Sequence, residues 1–208
     1  FVARGKLPIV CGGTGFYIDA FLHGGSFPPV KPDQKLRTKL SKKTTEELMR
    51  ELRKLDPRRA KEIDPNNKVR IIRSIEIARA IGSVPPPKRE ERYETLSIGL
   101  FDDREKMHER IHTRLIKRIK LGMAREVSHL HAKGVSWKRL HEFGLEYRYL
   151  ALYLQGLMKK EEMLAKLEQE IFNFSKRQMT WFKRDKSIHW IKPGQTTAAR
   201  KLIARFLK

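Results

Sequence analysis

The tightest constraint on this chain's fold lies in its first twenty-five residues. Leu7-Pro8-Ile9-Val10-Cys11 is a short apolar run that ends in Gly12-Gly13-Thr14-Gly15. The loop feeds a second apolar segment, Phe16 to Leu22, stopped by His23-Gly24-Gly25. The first run reads as a buried parallel strand, so strand, glycine loop and helix form half of a βαβ unit. A strand cannot begin a sheet alone, and its partners either follow or lie upstream of Phe1. Such a loop can bring backbone N–H groups and the Thr14 hydroxyl to a phosphate at a helix N-terminus. Many loops of this kind bind nothing, and no G-x-x-x-x-G-K-[ST] occurs anywhere in the chain.

A helical stretch follows. Phe27-Pro28-Pro29 and Lys31-Pro32 form a rigid connector and a boundary. Thr44-x-x-Glu47 is a capping box, with Leu48, Leu52 and Leu55 on one helical face. Asp56-Pro57 ends that helix and starts another, and Asp64-Pro65 repeats the punctuation. Ile71, Ile72, Ile75, Ala78 and Ile81 mark an amphipathic helix from Asn67 to Ile81, with Gly82 as its stop. Arg70 and Arg73 share one side of it, either gripping successive phosphates or forming an ordinary solvated face. Pro85-Pro86-Pro87 with Lys88, Arg89 and Arg92 is a stiff basic linker and a second boundary.

The second half opens with a strand at Thr95–Phe101, and Asp103 is placed to cap the next helix. That helix turns Met107, Ile111 and Leu115 inward and carries Arg110, Arg114 and Lys117 on another face. Like charges at that spacing repel, so an anion there relieves a cost. Further helices begin near Glu126, near Gly144 and at Glu161. The last runs into Phe174-Ser175-Lys176-Arg177-Gln178-Met179-Thr180-Trp181-Phe182. Interleaved basic and aromatic residues suit phosphate contact combined with base stacking. Ile188–Ile191 reads as a short strand and Thr196–Lys208 as a terminal amphipathic helix. His108 and His112 are one turn apart, but no third metal ligand accompanies them, and no metal site is expected. The expected architecture is an α/β core, residues 1–32 and 93–208, carrying an all-helical insertion at 33–92.

Composition narrows the partner. The 208 residues carry 46 Lys and Arg against 24 Asp and Glu, a net charge of +22. That excess points to a polyanion, nucleic acid before all others, with a generally basic or ribosome-associated surface as the alternative. No apolar run approaches the roughly 20 residues that span a bilayer. One cysteine, Cys11, excludes internal disulfides. With no secretory signal visible, a reducing, cytoplasmic location is expected.

Several stretches then match one family in order. Leu7–Val10 with Gly12-Gly13-Thr14-Gly15-Phe16-Tyr17 resembles its strand and GGTGLY loop. Asp56-Pro57, Pro65-Asn66 and Arg70–Glu76 resemble its DP…PN…RxxRALE segment. Gly144-Leu145-Glu146-Tyr147-Arg148 resembles a GLEYR variant, and Lys176–Phe182 its KRQxTWF signature. The family is tRNA dimethylallyltransferase, and the resemblance covers essentially the whole chain. It implies a P-loop nucleotide-kinase-like core with a helical insertion, dimethylallyl diphosphate and Mg²⁺ at the core, and the adenosine 3′ of the anticodon flipped into a channel. It implies that the exocyclic amine takes the dimethylallyl group while diphosphate leaves.

By residue, the resemblance makes Thr14 and Arg114 catalytic and places Gly12, Gly13, Gly15 and Arg110 at the diphosphate. It assigns Arg37, Arg70, Arg73, His141, Gly144, Leu145, Lys176, Arg177, Gln178, Thr180 and Trp181 to the tRNA anticodon arm, and the enzyme is expected to act as a monomer. The family's P-loop, most Mg²⁺ ligands and the aspartate that serves as general base would fall upstream of Phe1. These 208 residues alone are therefore expected to be inactive. Phe16 stands where Leu is usual, and Phe172 where many members carry Arg. Two other classes fit parts of the pattern. A different P-loop phosphotransferase explains the glycine loop but neither +22 nor the basic-aromatic helix near Trp181, whereas a non-catalytic RNA-binding module fits these 208 residues as a piece that binds tRNA without reacting.

Overall fold

The computed structural model describes every residue except 25–26, 87–89 and 91–92, together with the side chain of Val2. Among the described residues the chain is mostly helical, with one small parallel sheet. It divides into two compact units, Phe16–Glu94 and Phe1–Gly15 with Thr95–Lys208. The helical unit thus opens at Phe16, ahead of the Pro28–Pro32 connector where the sequence suggests a boundary. The basic linker after Pro86 lies outside the described residues.

The helical unit contains α1 (Gly15–Leu22, whose first residue belongs to the other unit), α2 (Gln34–Ser41), α3 (Thr45–Leu55), α4 (Pro57–Glu62) and α5 (Lys68–Ile81). The starts of α2 to α5 are capped by side chains. Asp33 accepts from the Leu36 amide, Thr44 and Glu47 close the reciprocal capping box, and Asn67 accepts from the Arg70 amide. Asp56 serves two elements. One carboxylate oxygen accepts from the Arg59 amide at 2.9 Å and opens α4, while the other accepts from Val84 at 2.8 Å. Leu40, Leu48, Leu52, Ile71 and Ile75 are fully buried at the centre of this unit.

The other unit contains β1 (Ile98–Leu100), α6 (Arg104–Lys120), α7 (Met123–Ala132), α8 (Trp137–Glu142), α9 (Leu145–Leu154), α10 (Lys160–Phe182), β2 (His189–Ile191) and α11 (Thr196–Phe206). β1 and β2 pair in parallel, with Gly99 opposite Trp190. Its core gathers Ile111, Leu115, Val127, Leu140, Leu150, Met163, Leu167 and Phe172. α6 and α10 run antiparallel: His108 stacks on Phe172 with ring centroids 3.6 Å apart, and one turn on His112 meets Glu168 at 2.9 Å.

Two expectations fail locally. Residues 7–11 form no strand, and Leu7, Ile9 and Val10 are exposed. An apolar strand is stable only with ladder partners, and among the described residues β1 and β2 pair with each other alone. Asp103 stands at the N-cap of α6 without a side-chain capping bond, and its carboxylate meets Lys192 at 3.3 Å instead. Among the described residues, no helix is long and apolar enough to cross a membrane.

Candidate active site: a glycine loop closed by the end of a basic helix

The glycine loop packs against the C-terminal turns of α10. Gln178 Nε2 donates to the Gly13 carbonyl at 2.7 Å, a contact between residues 165 positions apart in the chain. Gly15 is buried under Trp181 so closely that a Cβ there would overlap the indole ring, and a Cβ on Gly13 would meet the Gln178 amide. Glycine at these two positions is therefore a requirement of approach. Gly12 and Thr14 stay exposed between them. The structure thus joins the loop to the Lys176–Phe182 segment, as a site built from both requires.

The cations in and just after that segment are held by rings. Lys176 lies 4.8 Å from the Phe172 ring, Arg177 5.8 Å from Phe174 and Arg184 4.0 Å from Trp181. Thr180 turns its hydroxyl onto the Lys176 carbonyl at 3.0 Å. Arg104 also faces the Phe172 ring, at 5.6 Å. Nothing in the local sequence distinguished Arg104. Only the antiparallel pairing of α6 and α10 brings it, with His108 and Lys176, onto one buried ring.

On α6 the expected basic face is present. Glu109, Arg110, Thr113, Arg114 and Lys117 line a shallow depression of about 440 Å³. Arg110 is partly neutralised by Asp102, 3.3 Å away, whereas Arg114 and Lys117 make no ion pair among the described residues. The antiparallel register sets Arg114 level with Lys166, roughly 18 Å along the α10 axis from Gln178 at 1.5 Å per residue. Thr14 and Arg114, expected to act together, are therefore not in contact here.

The α8–α9 turn is fixed from several sides. Gly144 takes φ 136° at the start of α9, and Leu145 is half-buried against the core. Arg148 Nε donates to the His141 carbonyl at 3.2 Å, and the His141 ring meets Gln155 at 3.2 Å. Glu146 pairs with Arg118 at 2.7 Å, and the Tyr147 hydroxyl donates to Glu126 at 2.5 Å. That bond, followed by burial, raises the Tyr147 phenol above its ordinary range.

In the helical unit, two of the three expected tRNA arginines are engaged in the fold. Arg37 donates to both oxygens of Glu76, at 3.0 and 2.8 Å. Arg73 grips the same carboxylate and donates to the Val30 carbonyl at 2.8 Å, while the Asp33 amide donates to Glu76 at 2.6 Å. Glu76 is 2% exposed. Burial pushes its carboxyl up, but the bonds from Arg37, Arg73 and the Asp33 amide outweigh it and hold the group at about 2. The Arg70 side chain remains exposed.

A Mg²⁺ ion does not find a ligand set in these residues. Among those described, no three His, Cys, Asp or Glu side chains come together, and the loop offers the Thr14 hydroxyl alone.

A family model described as IPP transferase matches residues 1–185. The chain belongs to the IPP transferase family. The tRNA dimethylallyltransferase 2 of Trichlorobacter lovleyi is 40% identical over 98% of this chain and 69% of its own length. That of Citrifermentans bemidjiense is 37% identical over 96% and 66%. The chain therefore spans about two thirds of the length of these relatives. Among solved structures, the tRNA isopentenylpyrophosphate transferase of Bacillus halodurans superimposes with a TM-score of 0.62 at 27% identity, covering 99% of this chain and 66% of that one. A eukaryotic dimethylallyltransferase acting on tRNA gives 0.73 at 20% identity, over 98% of this chain and 56% of that one, a likeness of fold.

Proposed function

We propose that this chain serves a tRNA dimethylallyltransferase, moving a dimethylallyl group from dimethylallyl diphosphate to the N6 amine of the adenosine 3′ of the anticodon. The observation that carries the reading is the loop's closure by Gln178 and Trp181. It sets a glycine loop with a free threonine hydroxyl beside a row of ring-held cations. Kinship with enzymes of that name at about 40% identity supports it. The core is of the nucleotide-kinase type, the enzyme works in the cytoplasm as a monomer, and a Mg²⁺ ion with the diphosphate would be held by groups other than the residues placed here.

In the reaction the amine nitrogen forms a bond to the allylic carbon as that carbon's bond to oxygen breaks, and the electron pair leaves with diphosphate. The amine then loses a proton, for which none of the residues placed here is the acceptor. Thr14 donates to the departing oxygen and the loop amides face the phosphates. Arg110 and Arg114 supply positive charge from α6, at a distance from the loop rather than on the oxygen that Thr14 meets. Preorganised donors and cations are what a leaving diphosphate needs, and removing one typically costs on the order of 100- to 1000-fold in turnover. Arg70, the α8–α9 turn, Lys176, Arg177 and Thr180 contact the anticodon arm.

The test is steady-state turnover of tRNA and dimethylallyl diphosphate by the protein expressed from its whole reading frame, for Thr14→Ala and Arg114→Ala. We expect kcat to fall roughly 100-fold or more for Thr14→Ala, and kcat/KM at least tenfold for Arg114→Ala. Near-wild-type kinetics in both variants, with Thr14→Ala merely about 1 kcal/mol less stable, would make Thr14 a helix cap and overturn the assignment.

A further inference from the structure

We propose that α11 is a separate docking surface for the phosphate backbone of the tRNA, outside the loop and the Lys176–Phe182 segment. This rests on the tRNA reading above. Residues 186–208 lie beyond the part of the chain that the family model matches. They contain six Lys and Arg and no Asp or Glu.

The charge is arranged rather than scattered. At 100° per residue, Arg200, Lys201 and Arg205 fall within an arc of roughly 140°, with Lys208 just beyond the helix end. Leu202, Phe206, Ala199 and Ile203 fall on the opposite side. Arg200, Lys201 and Arg205 are exposed, and no residue of the helix is fully buried.

Among the described residues, ion pairing leaves this charge uncompensated, as it does on several other helices of a chain with 46 Lys and Arg against 24 Asp and Glu. Elsewhere in the chain cations are repeatedly neutralised, as in Arg118 with Glu146, Lys166 with Glu162 and Arg139 with Glu142. Lys192, before α11, is matched to Asp103. None of Arg200, Lys201, Arg205 and Lys208 forms an ion pair among the described residues. A favourable helix-dipole interaction accounts for Arg205 in the last turn, but not for Arg200 and Lys201. Lys201 and Arg205, four apart, repel one another unless an anion lies across them.

A polyanion with repeating charges satisfies that arrangement. An anionic membrane is the other surface that basic amphipathic helices fit, but there the apolar side must be free to insert. Here Ala199, Leu202 and Phe206 on that side are already partly covered and only Ile203 of the four stays exposed, too little apolar surface for insertion, which favours RNA.

The experiment measures tRNA affinity against salt, from about 50 to 200 mM. It compares the protein expressed from its whole reading frame with its Arg200→Gln/Lys201→Gln/Arg205→Gln variant. Each phosphate contact contributes roughly 0.7–0.9 to the slope of log K against log salt. We expect the slope to become shallower by about 2 and binding to weaken at least tenfold near 100 mM, with Arg200→Lys/Arg205→Lys close to wild type. Each single Gln variant lowers the slope by about 0.8, so the proposal survives a triple variant that fails to fold. A wild-type slope in the variants overturns the proposal and leaves the tRNA reading standing. Salt-insensitive tRNA binding by the unaltered protein refutes that reading and the proposal with it. Binding to phosphatidylserine vesicles that the triple variant loses, with tRNA binding unchanged, assigns the helix to a membrane and overturns the proposal.

Discussion

Replacing Glu76 with Gln removes the charge that Arg37, Arg73 and the Asp33 amide all address while keeping the side chain's volume. A carboxyl held at about 2 instead of its ordinary 4.5 corresponds to roughly 3 kcal/mol at 1.36 kcal/mol per unit. Breaking a buried ion pair by deleting one partner typically costs about 3–5 kcal/mol, and the partial exposure of both arginines puts this site at the low end. The three tryptophans, Trp137, Trp181 and Trp190, all lie in the other unit, so their fluorescence does not report on this one. The assay is native-state hydrogen exchange of the α5 amides at pH 7, which should quicken about 100-fold in Glu76→Gln. A depressed folded pKa contributes stability that is present above 4.5 and lost as pH falls towards 2. The gap between wild type and variant, read by urea unfolding, should therefore close across that window. Equal exchange rates at pH 7, or a gap unchanged from pH 7 to pH 2, would refute the reasoning.

Gly15→Ala should displace the loop from Trp181, shifting its emission and lowering turnover at least tenfold. Gly13→Ala meets only the flexible end of Gln178 and should cost less. Unchanged emission and turnover in Gly15→Ala would mean the loop is not held where the structure has it. Asp56→Asn leaves one of two buried amide bonds poorly matched, and should lower the urea stability of the helical unit by about 1–3 kcal/mol. Burial raises the Asp56 carboxyl, yet the Arg59 and Val84 amides pull it below its ordinary range. Its contribution should accordingly persist at neutral pH and fade in acid, and an Asp56→Asn deficit as large at pH 2 as at pH 7 would count against this.

Local signals were legible wherever a single turn of chain decides the structure. Thr44 with Glu47, Asp56 before Pro57, Asn67 and Gly82 each mark a helix end that is present in the fold, because capping depends on neighbours a few residues away. The helices α5, α7, α9 and α10 follow from apolar periodicity for the same reason. Residues 7–11 show the opposite case. Their composition suits a strand, but a strand is a property of the pairing, which no local pattern contains. The site divides similarly. The glycines and the KRQMTWF run were visible separately, whereas their contact through Gln178 and Trp181 spans most of the chain. Arg104 carries no signal until α6 lies against α10.

Charge is where sequence and structure part most usefully. A count of +22 treats every arginine alike, yet the fold sorts them by partner. Arg73 has the same standing as Arg70 from spacing, and Arg37 from the resemblance, but both are bound to Glu76, with the three groups linking residues 30, 33, 37, 73 and 76. Recruiting either guanidinium to an RNA phosphate would leave a buried carboxylate short of a partner, a cost comparable to what a phosphate contact returns. Those two arginines therefore hold the helical unit's shape, and of the three it is Arg70, exposed one turn away, that the fold leaves open to an anion. Arg110 and Arg114 divide likewise, since Asp102 holds the first and leaves the second uncompensated. Electrostatic contact with a polyanion falls to the cations that the fold has left unpaired, and α6 and α11 each carry a group of them on one face.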